Sequence, residues 1–137
     1  MSIVNTAYRW WRENDGVLTN AKDVYSSAVI FAPKVENGDA LAPLLVGKDS
    51  LPALVLGSTD FGSLATSLRY QSGYADEVAE GYRHALDRYQ PIEDIHHCAG
   101  LTTAGQIDMK IRKIALPVRT TEGGLLIMAY SERVSIH

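Results

Sequence analysis

The chain has 137 residues, 46% hydrophobic and 21% charged, which is the length and composition of one globular domain with a buried core. The formal net charge of −3 and the sequence pI near 5.7 give no support for the basic surface that nucleic-acid binding requires. The single cysteine, Cys98, excludes an internal disulfide and a zinc site built from several cysteines.

The first residues and the apolar segments indicate where the protein resides. The opening MSIVNTAYRWW lacks the basic flank and apolar region of a secretion signal. The longest apolar stretches, such as 51–56, are far shorter than the roughly 20 residues of a membrane-spanning helix. We therefore expect a cytoplasmic protein of bacterial type, with neither a membrane nor a nucleic acid as partner.

Residues 5–13 are a candidate amphipathic helix, in which Val4, Tyr8 and Trp11 fall at helical spacing. Neighbouring residues lie about 100° apart around a helix, so Trp10 and Trp11 cannot point the same way. We predict that one of them caps the domain core and that the other belongs to a homodimer interface.

Two strand-like segments follow this helix. Residues 24–32 are rich in β-branched and aromatic types and predict a strand, and 40–47 predict a second one. Pro43 confines the second strand to an edge or a strand start. Turn residues at 36–39 separate the two, which is typical of a hairpin.

The middle of the chain predicts helices. Residues 50–73 favour short helices, the first capped by Ser50. Residues 74–89 give the strongest helical pattern, since their apolar residues form one stripe. The members of this stripe are Tyr74, Val78, Tyr82, Ala85, Leu86 and Tyr89.

Three strand-like segments fill the last third: PIEDIHHCAGL, IDMKIRKIALPV and LLIMAYSERV, joined by TTAGQ and RTTEGG. In the second of these, Met109 and Ile111 alternate with charged residues. The alternation continues through Ile114 and Leu116 only if Lys113 is an extra residue, which predicts a β-bulge or a local twist there. The third segment is apolar on both faces near its start, which indicates a central strand covered on both sides.

The order of two strands, several helices and three strands resembles that of the PAS domain family over nearly the whole chain. RKIALPVRTTEGGLLIMAYSERV looks like the family's last two strands, and YADEVAEGYRHALDRYQPIEDIHHCAGLTTAGQ looks like its long helix, connector and first meander strand. The opening AYRWWRENDGVL resembles the first helix of a proteobacterial single-domain PAS-like group. We accordingly predict one domain over 1–137, with the N-terminal helix at about 5–13 and the core at about 22–134.

This resemblance implies an α+β fold with a five-stranded antiparallel sheet, helices packed on one face, and an N-terminal helix. A space between helices and sheet would hold a small ligand or be filled by side chains. The implied role is sensing or dimerisation, and because we see no output domain we expect the signal to leave through a separate signalling protein. The flavin photosensors' asparagine-cysteine motif is absent and Cys98 falls on a predicted strand, so flavin adduct chemistry finds no match. The sequence therefore does not identify a cofactor, and a protein that binds no cofactor is one of the alternatives.

Periodicity alone selects the residues that we expect to line this space. A small apolar or aromatic ligand would suit them, because tyrosines provide amphipathic walls. The predicted lining residues are Tyr74, Val78, Tyr82, Ile111, Leu116 and Ile127.

Two other classes of protein remain open at this stage. One is a small α+β pocket enzyme of the ketosteroid-isomerase-like type, in which several helices come first. The strands expected at 24–32 and 40–47 argue against that enzyme. The other is a structural dimerisation module with a filled core.

His96-His97-Cys98 is the segment richest in ligand-type side chains. On a strand, His96 and Cys98 share one face, so they are weak candidates for a metal or haem site. Their spacing matches no closed metal site, and the favoured interpretation is a buried cysteine beside a half-exposed histidine. Adjacent strand residues face opposite sides, so Glu93 and Asp94 do not form a catalytic pair, and we predict no catalytic residue.

Overall fold

The computed structural model of the protein describes residues 2–18, 25–31, 43–56, 74–102 and 105–134. Within these ranges the elements are three helices and five strands: α1 (Ile3–Glu13), β1 (Val29–Phe31), β2 (Pro43–Val46), α2 (Leu51–Leu56), α3 (Tyr74–Arg88), β3 (Ile92–Thr102), β4 (Gly105–Arg119) and β5 (Leu125–Arg133). The strands form one antiparallel sheet in the order β2-β1-β5-β4-β3. The predicted fold class, a five-stranded antiparallel sheet with helices, is confirmed.

The last strand, β5, is central, as its apolar sequence predicts. It pairs with β1 on one side and β4 on the other. The four residues 127–130 are all buried, although their side chains alternate between the two faces of the sheet. Both faces are therefore covered here.

Two apolar clusters cover the two faces. The α3-side cluster consists of Val29, Phe31, Val46, Ala53, Tyr82, Ala85, Ala115, Ile127 and Ala129. The α1-side cluster consists of Val4, Ala7, Ala28, Ile30, Ile114, Leu116, Val118, Met128 and Tyr130. Helices α2 and α3 thus share one face of the sheet, and α1 lies on the other.

Strand β4 contributes side chains to both clusters, and it contains no bulge. It pairs continuously with β3 over Ile92–Thr102 and with β5 over Leu125–Arg133, and neither ladder shifts register. The predicted bulge at Lys113 is wrong. The hydrophobic pattern changes phase because Ile111 faces the α3 side, whereas Ile114 faces α1.

Helix α1 begins earlier than predicted, because Ser2 caps it. The Ser2 hydroxyl accepts a hydrogen bond from the Asn5 backbone N–H at 3.1 Å. Val4 and Ala7 are buried against the sheet. Tyr8, expected on the buried stripe, is 40% exposed and lies under the Arg12 guanidinium, because the buried stripe runs through Val4, Ala7 and Trp11 instead.

The prediction that Ser50 caps a helix is confirmed. Its hydroxyl accepts from the Ala53 backbone N–H at 3.3 Å and donates to the Gly47 carbonyl oxygen at 2.6 Å. The turn expected at 36–39 and the helices expected at 57–73 lie outside the described residues. In the described part of the chain, no helix is long and apolar enough to cross a membrane.

Candidate functional site

A polar groove runs between α3 and β3 on the α3 side of the sheet. It encloses about 440 Å³. One wall is the exposed side of α3, and the other is the start of β3. Its lining residues are Glu80, Gly81, His84, Arg88, Ile92, Asp94, Ile95 and His96. We call it the α3–β3 groove.

Gly81 lines the groove, and its lack of a side chain keeps the groove open next to Asp94. A Cβ placed on Gly81 would lie 3.4 Å from the Asp94 carboxylate oxygen Oδ2. Any side chain longer than a methyl would therefore displace Asp94 or fill the groove. Glycine in the middle of a helix costs roughly 1 kcal/mol relative to alanine, so this opening is obtained at the expense of helix stability.

A second, smaller cavity beside the groove borders Tyr82. This cavity of about 10 Å³, near the volume that one water molecule requires, lies among residues that include Tyr82, Asp94, His96 and Lys113. The Lys113 ammonium is 5.1 Å from the centroid of the Tyr82 ring. Tyr82 is buried and tilted against the Phe31 ring, with ring centroids 5.0 Å apart. The cavity and the groove share Gly81, Ile92, Asp94 and His96, so the charged groove adjoins the aromatic core at Tyr82.

The groove presents charges of both signs. Glu80 and Asp94 supply carboxylates, and Arg88 supplies a guanidinium at the last turn of α3. The His84 imidazole lies 3.7 Å from the Glu80 carboxylate, one helical turn away. Such a set can hold a small molecule that carries both a positive and a negative group. Within the described ranges, no cluster of three or more metal-ligating side chains is present.

The predicted pocket residues are divided between the two faces. Tyr82 and Ile127 belong to the α3-side cluster, and Ile111 is buried on that face, directly opposite His96. Leu116 lies in the α1-side cluster, so the sheet separates it from the other three. The side chains of Tyr74 and Val78 lie outside the described ones, although α3 includes both positions. The structure thus brings Tyr82 and Ile127 together, whereas Ile111 lies farther along the same face, six residues before Pro117, the β4 partner of Ile127.

His96 lies at the inner end of the groove. It is 9% exposed and is one of the residues around the small cavity. Cys98 follows on the same face of β3, opposite Met109, but its side chain lies outside the described ones. His97 faces the other side and pairs with Asp108. His97 is therefore the exposed histidine of the pair, and His96 is the buried one.

Trp11 joins the two layers at one end of the sheet. Its indole Nε1 donates a hydrogen bond of 2.7 Å to the carbonyl oxygen of Pro117. Its ring lies 6.2 Å from that of Tyr89, the residue that follows α3. The Tyr89 hydroxyl donates to the Gly16 carbonyl oxygen at 3.1 Å, and the Arg119 guanidinium stacks 4.4 Å from the Tyr89 ring centroid. Burial raises the pKa of Tyr89, and Arg119 opposes that rise.

Trp10 also packs within the chain. Both Trp10 and Trp11 are partly buried against the α1-side cluster. Trp11 thus has a structural role at the sheet end. A dimer interface that includes Trp10 or Trp11 stays a prediction.

A second polar cluster fastens the start of α1 to the sheet. Arg112 is hydrogen-bonded to Glu93 on β3 and donates to Asn5 Oδ1 at 2.9 Å. Its Nη1 is 3.4 Å from both Ser2 Oγ and Glu132 Oε1, and Ser2 Oγ donates to Glu132 Oε1 at 2.6 Å. The hydrogen bond to Glu93 raises the pKa of Arg112. We call these residues the Arg112 cluster.

Sequence reasoning did not assign most of the groove, including Gly81 and Asp94, and it did not place Lys113 at the adjoining cavity. Two signals in the sequence indicate Gly81 and Asp94. Gly81 interrupts an otherwise strong helical pattern, which often marks a close approach. Asp94 alternates with Ile92 and His96 on β3, so it shares their face. The predicted bulge takes Lys113 out of the alternation of β4, so the pattern does not indicate that Lys113 faces α3.

Comparison with known proteins gives one kind of match. No family model matches the chain, and no curated protein matches it. Among solved structures, the chain is similar to one from a study of a flavin analogue and the mechanism of a light-oxygen-voltage domain, with a TM-score of 0.52 and 15% sequence identity. That match covers 79% of this chain and 76% of the other.

Light-oxygen-voltage domains belong to the PAS superfamily. The chain has a PAS-like fold. Strands β1 and β2, which both precede Ser50, agree with the PAS-like arrangement and not with a fold that begins with several helices. At 15% identity the similarity concerns the fold alone, so the activity of this PAS-like domain has to be argued from its own residues.

Proposed function

We propose that the protein is a sensory PAS-like domain that binds a small polar molecule in the α3–β3 groove and signals to a protein partner. The observation that carries the proposal is that the charged groove adjoins the cavity beside Tyr82, since both are lined by Gly81, Ile92, Asp94 and His96. A ligand in the groove would contact α3 and β3 together. Its binding would therefore change the free energy of any motion of α3 relative to the sheet.

The lining favours a zwitterion of amino-acid size. Arg88 and His84 suit a carboxylate, while Glu80 and Asp94 suit an ammonium group. Next to this groove, the members of the α3-side cluster pack against one another and are nearly inaccessible. A charged ligand at the groove therefore fits the described residues better than the apolar or aromatic ligand that the sequence predicts.

The first experiment is native mass spectrometry of the purified protein, with an absorbance spectrum alongside. We expect a co-purified small molecule, or binding of a free amino acid from a panel that also contains dicarboxylic acids and aromatic acids. Thermal unfolding of the protein with each panel compound measures the binding, because a ligand that binds the folded state raises the midpoint temperature of unfolding.

Two arginines of α3 provide a matched pair of variants. Arg88 lines the groove, whereas Arg83 is exposed on the same helix and outside the groove. Arg88→Ala should abolish most of the midpoint increase, and Arg83→Ala should retain it. The proposal is wrong if no compound of the panel binds and none co-purifies, or if both variants respond as the original protein does.

A further inference from the structure

The outer edge of β3 is a long strand edge. In the described sheet, β3 is the last strand and pairs with β4 alone. It extends over Ile92–Thr102, whereas the opposite edge strand, β2, spans only Pro43–Val46 and begins with a proline. A long regular edge without proline is a template for pairing with another strand.

The hydrogen-bond pattern shows which residues of β3 face outward. The Lys110 carbonyl oxygen accepts from the Val134 N–H and so points toward β5. The next residue of β4, Ile111, therefore points its backbone groups toward β3, where His96 is its partner. Alternation along β3 then directs the N–H and C=O groups of Glu93, Ile95 and His97 away from β4.

The side chains around Ile95 form a self-complementary pattern. The sequence reads Glu93-Asp94-Ile95-His96-His97, with two acids before the isoleucine and two imidazoles after it. If two copies pair antiparallel about Ile95, Glu93 lies opposite the partner's His97. Asp94 then lies opposite the partner's His96. Every such cross-strand pair sets a carboxylate acceptor against an imidazole donor.

Existing contacts are compatible with this pairing. Glu93 uses Oε1 for Arg112, which leaves Oε2 as a second acceptor. His97 uses Nε2 for Asp108, and an imidazolium donates from both ring nitrogens. The His97 ring can thus bridge Asp108 of its own sheet and the partner's Glu93.

Ile95 would lie on the two-fold axis. It is 59% exposed, which is unusual for an isoleucine in the middle of a strand. In this register its outward N–H and C=O bond to those of the partner's Ile95, and the two side chains meet on the same face.

We propose that β3 is the interface between two copies of this chain, joined antiparallel about Ile95 into one continuous sheet. The symmetric match of charges selects a second copy as the occupant of the edge, since a two-fold interface must complement itself. This proposal extends beyond the sensory role and does not depend on a ligand in the α3–β3 groove.

Disulfide trapping tests the register. With Cys98→Ser as background, Ile95→Cys places the two new thiols opposite each other. Their Cα atoms would be about 5.5 Å apart, within the range that a disulfide spans. We expect a covalent dimer under mild oxidation. His97→Cys alone should link far more slowly, whereas a mixture of His97→Cys and Glu93→Cys should link readily. Equal linking by Ile95→Cys and His97→Cys, or none by Ile95→Cys, would overturn the proposal.

Light scattering tests the interface without added cysteines. Ile95→Pro removes an outward N–H and leaves the β3–β4 ladder intact, so it should shift the molar mass from dimer to monomer. Ile95→Val keeps the backbone donor and should remain a dimer. A monomeric original protein at every concentration, or a dimeric Ile95→Pro, contradicts the interface. If circular dichroism shows that Ile95→Pro is unfolded, the disulfide-trapping experiment alone tests the interface.

Discussion

Trp11 donates its indole N–H to the carbonyl oxygen of Pro117 across 2.7 Å and so connects the last turn of α1 to β4. Pro117 lies next to Leu116 and Val118, which belong to the α1-side cluster. The bond thus fixes the end of α1 at the place where that cluster is most buried.

We expect Trp11→Phe to lower the free energy of unfolding by about 1–3 kcal/mol, because the Pro117 carbonyl loses its donor. Urea unfolding monitored by circular dichroism measures the change. Trp10→Phe is the matched control, since Trp10 packs on the same cluster. Equal losses for the two variants would show that the bond to Pro117 contributes nothing.

Arg112→Lys tests the Arg112 cluster. Lysine keeps the charge but lacks the planar fork that reaches Glu93, Asn5 and Glu132 together. We expect faster backbone hydrogen exchange in the first turn of α1 and unfolding at a lower urea concentration. Arg133→Lys, an exposed arginine at the end of β5, is the control. Unchanged exchange at Asn5 and Thr6 in Arg112→Lys would argue against the anchoring role.

Gly81→Ala should separate stability from binding. Alanine favours the helix by roughly 1 kcal/mol, and the new methyl group meets Asp94 only at van der Waals distance. We therefore expect higher stability together with weaker ligand binding in the α3–β3 groove. Asp87→Ala, on an exposed position of α3 outside the groove, should raise stability without weakening binding. Unchanged binding in Gly81→Ala would place the ligand elsewhere.

Tyr130 predicts how stability depends on alkaline pH. Burial raises the pKa of Tyr130 above its usual value near 10, and the nearby Tyr25 adds to the rise. Above about pH 10 the unfolded chain loses this proton while the folded state keeps it. The free energy of unfolding should therefore fall by up to about 1.4 kcal/mol per pH unit from this group.

Urea unfolding at a series of pH values between 8 and the alkaline limit, each on the original protein and on Tyr130→Phe, measures this effect. The two stability curves should run parallel below about pH 10, where the tyrosine is protonated in both states, and diverge above it. Curves that stay parallel throughout would show that the Tyr130 proton has no influence on stability.

The sequence predicts the long helix and the central strand well, because each has one clear pattern. The bounds of α3 match the predicted helix to within one residue. The two apolar faces of β5 indicate a strand covered on both sides, and the structure confirms that interpretation. These features depend on local periodicity, which a single sequence displays directly.

The groove and the face of α1 were harder to predict, because they depend on contacts between distant parts of the chain. Periodicity alone does not show that α1 covers the face opposite α3, so the phase change after Ile111 predicts a bulge that the structure lacks. For the same reason the sequence predicts Leu116 and Tyr82 in one pocket, although they lie on opposite faces of the sheet. Asp94 of the groove and Lys113 of the adjoining cavity come together only through the β3–β4 register.

The contact between Ser2 and Glu132 brings the beginning and the end of the described backbone to one corner of the domain. A short connection there would turn the domain into a nearly closed loop, so new chain ends can be opened elsewhere. The exposed turn between β4 and β5, where Gly123 has a φ of +89°, is a suitable place. A circular permutant cut at this turn would free β4 and β5 from their direct connection, and its folding would show whether that hairpin must form first.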